Sequence, residues 1–87
     1  MNEAKKDLMR IPGVGTSIAD DLIKLGFREV NDLINQKPQQ MYDELCRLTN
    51  SKQDRCLLYV FRCAVYFAQT KNPDRELLKW WNWKDKS

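Results

Sequence analysis

Two glycines bracket one apolar residue in Pro12-Gly13-Val14-Gly15-Thr16-Ser17, and that spacing has a definite chemistry. Glycine lets the main chain approach a bound group closely, and successive N–H groups at a turn form a concave set of donors for an anion. A helix that starts directly afterwards adds first-turn N–H groups without intrahelical partners and the positive end of its dipole. A phosphate fits such a cradle. The predicted contacts are the main chain of Gly13, Val14, Gly15 and Thr16, supported by the hydroxyls of Thr16 and Ser17. Lys5, Lys6, Arg10 and Lys24 are the cations expected around it, while Asp20 and Asp21, one turn into the helix, oppose an anion.

Other chemistries are poorly served. The chain has 87 residues and no histidine, which removes the commonest general base, Ser-His and Cys-His nucleophile pairs and every histidine-containing metal site. Three cysteines, Cys46, Cys56 and Cys63, do not close a structural zinc site, and none are spaced C-x-x-C. Cys56 and Cys63 on one helix are about 10 Å apart, too far for a disulfide, while Cys46 could approach one of them; the odd count reads as reduced thiols, and all three are expected to be small packing residues. The acidic pairs Asp20/Asp21 and Asp43/Glu44 are sequence neighbours on solvated faces and form no acid/base pair. The expectation is therefore a protein without catalysis, cofactor or metal.

The elements that must position the turn are helical throughout, since no alternating strand pattern survives. Glu3 to Arg10 reads as a short helix that stops before Ile11-Pro12. Thr16 or Ser17 caps a second, to about Leu25, with Ile18, Ala19, Leu22, Ile23 and Leu25 on one face and Gly26 as its stop. A third spans about Val30 to Asn35. Pro38 opens a fourth, to about Leu48, whose face is Met41, Tyr42, Leu45 and Leu48. Ser51-x-x-Asp54 reads as a capping box for a fifth helix, about residues 52–69, apolar over more than half its circumference and hence central. Asn72-Pro73-Asp74 caps a sixth, about residues 73–83, carrying Leu77, Leu78, Trp80 and Trp81. The chain thus reads as one all-α domain, 1–87, of five to six helices.

Leu8-x-x-Ile11-x-Gly13-Val14-Gly15-x-x-x-Ala19-x-x-Leu22-Ile23 resembles the helix-hairpin-helix motif of DNA repair, recombination and polymerase-associated proteins. The match covers residues 8–23. Residues 30–48, with Val30-Asn31-Asp32-Leu33-Ile34 and Met41-Tyr42-Asp43-Glu44-Leu45 flanking a turn without glycine, resemble the degenerate second copy that completes a helix-hairpin-helix (SAM-like) unit. The resemblance implies contact with DNA phosphates without base reading. Lys or Arg often follows the second glycine in the best DNA binders of that class; here Thr16 and Ser17 do.

Over about residues 5–85 the chain also resembles a family of small bacterial proteins labelled "pathogenicity locus". The segments that carry this are Ile11-Pro12-Gly13-Val14-Gly15, Asp32-Leu33, Met41-Tyr42-x-x-Leu45-Cys46, Asp54-Arg55-Cys56-x-x-Tyr59-Val60-Phe61-Arg62-Cys63-Ala64-Val65-Tyr66-Phe67-Ala68 and Leu78-Lys79-Trp80-Trp81-Asn82-Trp83-Lys84. It implies a bacterial, cytoplasmic protein with a presumed DNA role and no established activity.

Charge divides unevenly. Residues 1–44 carry six basic and eight acidic side chains, net −2; residues 45–87 carry nine and four, net +5. Arg55, Tyr59, Arg62 and Tyr66 form one stripe of the central helix, readable as a nucleic-acid surface or as a polar seam paired to Asp43, Glu44 or Asp54. Trp81 is expected to close the core, with Trp83 nearer the charged tail Lys84-Asp85-Lys86. No segment is apolar for long enough to span a bilayer. The leading expectation is a non-enzymatic DNA-binding module without sequence specificity. The alternative is a protein-interaction module using the helical surface or the Trp-rich C-terminus.

Overall fold

Most of the circumference of one helix must be shielded from water, and the other elements gather around it. The computed structural model describes residues 3–84. It contains α1 (Glu3–Leu8), α2 (Thr16–Lys24), a 3-10 turn at Val30–Leu33, α3 (Pro38–Thr49), α4 (Arg55–Gln69), and 3-10 turns at Glu76–Leu78 and Trp80–Trp83. No strand occurs among the described residues. The all-α expectation holds, but four α-helices replace the expected five to six.

α4 buries Leu57, Leu58, Val60, Phe61, Cys63, Ala64 and Val65. It packs against α3, the Val30–Leu33 turn and both C-terminal turns, while α1 packs on α2. Leu8, Ile11, Ala19, Leu22, Leu33 and Leu45 complete a core in which each is at most 1% exposed. Cys56, expected to pack inside, is exposed. It lies in the first turn of α4, where its main-chain N–H donates to the Asp54 cap at 2.9 Å. Cys63 is buried, and that burial pushes its thiol pKa up to about 11.

Local signals fix the ends of the helices. Gly26 adopts φ +97° and closes α2: its N–H reaches the Ile23 carbonyl at 2.9 Å, and the Phe27 N–H reaches that of Leu22 at 3.0 Å. Asn50, at φ 51°, ends α3 in the same left-handed conformation. Pro38 occupies the first turn of α3. The cap of α4 is Asp54 itself, not a Ser51–Asp54 box, and this hydrogen bond holds the Asp54 carboxyl below its ordinary pKa.

The expected sixth helix is broken into two 3-10 turns because side chains take the carbonyls it needs. The Asn82 amide donates to the Glu76 carbonyl at 2.6 Å and the Trp83 indole to that of Leu77 at 2.7 Å. The Cys63 thiol donates to that of Leu78 at 3.3 Å. Lys79 between the turns is extended, φ −88° and ψ 112°.

One turn geometry occurs twice. The Val14 N–H donates to the Ile11 carbonyl at 3.1 Å, and the Gln36 N–H to the Leu33 carbonyl at 3.1 Å. The third residue of each turn has positive φ, Gly13 at 86° and Asn35 at 67°. Asparagine is among the few other residues that enter this region readily. Each turn then delivers the chain to a helix, through Gly15 into α2 and through Lys37 into α3.

Asp7 ties α1 to the second half of this arrangement. A carboxylate near the C-terminus of a helix is unfavourable on dipole grounds. Here one oxygen accepts from the Val30 main chain at 2.8 Å and the other from Arg10 at 2.9 Å. The Val30 bond, then Arg10, hold the Asp7 carboxyl below its ordinary pKa. Its contribution to stability is therefore present above the unfolded Asp value of about 3.9 and is lost as pH falls through the lower folded value. Asp7→Ala, which leaves the Val30 N–H without its acceptor, should cost about 1–3 kcal/mol in urea unfolding at neutral pH. It should also flatten part of the acid limb of the stability profile.

Candidate phosphate-binding turn

The loop from Ile11 to Ser17 is held by its apolar residues and exposed at its glycines. Ile11 is 1% and Val14 6% exposed, so both side chains anchor the loop, while Gly13, Gly15, Thr16 and Ser17 face solvent. The Val14 N–H is consumed by the Ile11 carbonyl, so Val14 acts as an anchor rather than as a main-chain donor to an anion.

Gly15 is the N-cap of α2, with φ −93° and ψ −169° and no side-chain cap. The first bond into the helix runs from the Ala19 N–H to the Gly15 carbonyl at 2.9 Å. Among the described residues, nothing accepts from the N–H groups of Gly15, Thr16, Ser17 or Ile18. Their donors point out of the exposed start of a nine-residue helix, the arrangement that favours an anion. The Thr16 and Ser17 hydroxyls leave this end open rather than capping it.

The two glycines are required for different reasons. Gly13 needs its positive φ, and a Cβ there would also lie 3.1 Å from Cδ1 of Trp80. Gly15 has an ordinary φ, and a Cβ would meet nothing within 4 Å. Nothing inside the protein demands glycine at this position.

Electrostatics around the turn are largely paired. Lys5 spans from α1 to Asp20 at 3.1 Å, which compensates one of the two carboxylates expected to oppose an anion. Arg10 pairs with Asp7 at 2.9 Å, and its exposed side chain lies between α1 and the turn. Lys6 is exposed on α1. Lys24 is in the last turn of α2, about 12 Å along the axis from the cradle, so it is not grouped with the others. Asp21 is half-buried, and desolvation, more than its neighbour Asp20, raises its carboxyl pKa.

In the Arg55/Tyr59/Arg62/Tyr66 stripe, Arg62 and Tyr66 are occupied by the protein's own C-terminal segment. Arg62 donates to the Trp83 carbonyl at 2.7 Å and lies 5.6 Å from the Tyr59 ring centre. Tyr66 packs on Trp83 with ring centres 5.4 Å apart, and its hydroxyl accepts from the Asp74 main chain at 2.8 Å. The polar-seam reading describes these contacts, but the expected acidic partners are engaged elsewhere. Glu44 pairs with Arg47, Asp43 bonds Gln39, and Asp54 caps α4.

The tryptophan expectations are reversed. Trp83 is half-buried and hydrogen-bonded, Trp80 packs against the core, and Trp81 is 50% exposed. Asp85 and Lys86 of the expected charged tail lie outside the described residues. The signal for the Trp80–Gly13 contact was absent from local sequence, because it joins residues far apart in the chain.

These features define a small all-helical protein with an open, donor-rich turn clamped from one side by its C-terminal segment. Residues 1–87 match the profile of the family described as Cdd1, pathogenicity locus, and the chain belongs to that family. No curated protein and no solved structure matches it. Among the described residues no helix is long and apolar enough to cross a membrane, and no group of three or more His, Cys, Asp or Glu side chains is placed to hold a metal.

The glycine contrast predicts unequal costs. Gly13→Ala should lose about 1–2 kcal/mol from its left-handed φ alone. Gly15→Ala, which meets no φ penalty or clash and only replaces glycine by a poorer N-cap, should lose less, about 0.5 kcal/mol. Urea unfolding of the two variants measures the difference.

Proposed function

We propose that this protein is a non-enzymatic DNA-binding module that holds the phosphate backbone, without sequence specificity, at the Gly13–Ser17 turn. The observation that carries the reading is Gly15. It starts a helix whose first N–H groups are uncapped, it is exposed, and neither its φ nor its surroundings require glycine. Close approach of an external group supplies the missing reason. In this reading Gly13, Gly15, Thr16 and Ser17 provide main-chain donors, Val14 anchors the loop, and Arg10 and Lys6 supply nearby charge. Lys5 acts by neutralising Asp20, and Lys24 stands apart.

The helix-hairpin-helix resemblance supports the same reading. The shared turn of residues 11–14 and 33–36 fits a true motif followed by a degenerate copy. The second copy lacks the open cradle: its helix starts at Pro38 after Lys37, and proline has no N–H to offer. A bacterial, cytoplasmic setting is part of this proposal and rests on the resemblance alone. The second reading, recruitment of a protein partner, is favoured by the exposure of Trp81.

With two to four phosphates engaged, affinity should be weak and should fall with salt at a log–log slope of about −2 to −4. The decisive variant is Gly15→Asp. Its carboxylate caps α2, adding about 0.2–0.5 kcal/mol of stability over glycine, while occupying and repelling the anion position. Fluorescence anisotropy with labelled duplex at about 20 mM salt should show affinity falling at least tenfold in a protein as stable as its parent. Unchanged affinity would reject the cradle and favour the second reading.

A further inference from the structure

We infer that Trp81 is a stacking platform for an unpaired nucleobase, so that the protein prefers single-stranded DNA to duplex. The inference rests on the phosphate reading of the turn and extends it to the form of DNA. Trp80 lies directly against Gly13, and Trp81 meets Trp80 edge to face with ring centres 5.8 Å apart. The half-exposed indole is thereby linked to the turn through Trp80, by a chain of two contacts. Trp80 and Trp83 are occupied by the fold, whereas the Trp81 ring is open to solvent.

The charge of the segment selects the partner. Residues 71–84 contain Lys71, Arg75, Lys79 and Lys84 against Asp74 and Glu76. Asp74 is engaged with the Glu76 main chain at 2.9 Å, and Glu76 with Lys79 at 2.7 Å. Lys71, Arg75 and Lys84 are exposed. An exposed aromatic ring in a basic segment, linked through Trp80 to donors suited to a phosphate, is the combination that binds single strands. In duplex DNA both faces of each internal base are covered by stacking, so this ring has a face to meet only in an unpaired strand.

The test uses the full chain, nitrogen-15 labelled, titrated with oligothymidylate and with duplex of equal length. The amides of residues 13–17 report the turn, and the Trp81 indole N–H reports stacking. Oligothymidylate should shift both sets and bind more tightly than duplex. Trp81→Leu, which keeps an apolar side chain but removes the ring, should weaken single-strand binding about tenfold and leave duplex binding unchanged. Trp81→Phe should recover part of the loss. Equal affinity for both forms, with turn amides moving and the indole still, would overturn the stacking platform while leaving the phosphate reading intact. Indole shifts without turn shifts would overturn the shared surface. Binding of neither form would overturn both readings.

Discussion

Burial of α4 is the constraint on which the rest of the structure depends. A fifteen-residue helix with seven buried side chains cannot rest on one neighbour. α3, the Val30–Leu33 turn and the C-terminal segment each cover part of it. Phe61, fully buried, belongs to a core that also takes Leu8, Ile11 and Leu22 from the first two helices. The open turn is therefore held from beneath. Ile11 and Val14 are drawn into the interior, and the glycines between and after them are left on the surface.

The legible parts of the fold were those decided within a turn or two of chain. Gly26 ends α2 and Pro38 starts α3 because backbone chemistry at those positions admits few alternatives. The apolar width of α4 announced its central place. The illegible parts were decided by residues distant in sequence. Leu77, Leu78, Trp80 and Trp81 have helical spacing, but the indole of Trp83, the amide of Asn82 and the thiol of Cys63 compete for the carbonyls that a helix would use. The charged residues that follow Trp83 also favoured Trp81 for the interior. The order inverted because Trp83 finds a carbonyl for its indole and a ring to pack on, in Leu77 and Tyr66.

At the turn, residue types were legible and their division of labour was not. Two glycines in one motif look equivalent as letters. Their dihedral angles and surroundings separate them: Gly13 serves the fold, and Gly15 is unaccounted for by it. The cations divide in the same way. Lys5 and Arg10 each sit beside a carboxylate, and Lys24 is carried to the far end of its helix. Net charge in the first half of the chain thus says less about an anion site than the orientation of a few main-chain N–H groups.

The contact between Trp80 and Gly13 also sets an order of events during synthesis. Domains emerge from the ribosome N-terminus first, and contacts between distant residues form late because long loops must close before they contribute. Helices α1 and α2 are made early, yet one side of the turn between them remains uncovered until the tryptophan segment has been translated. The surface at Gly13 is completed only by residues synthesised long after it, so a chain truncated before Trp80 would present the same turn sequence with a different outer face.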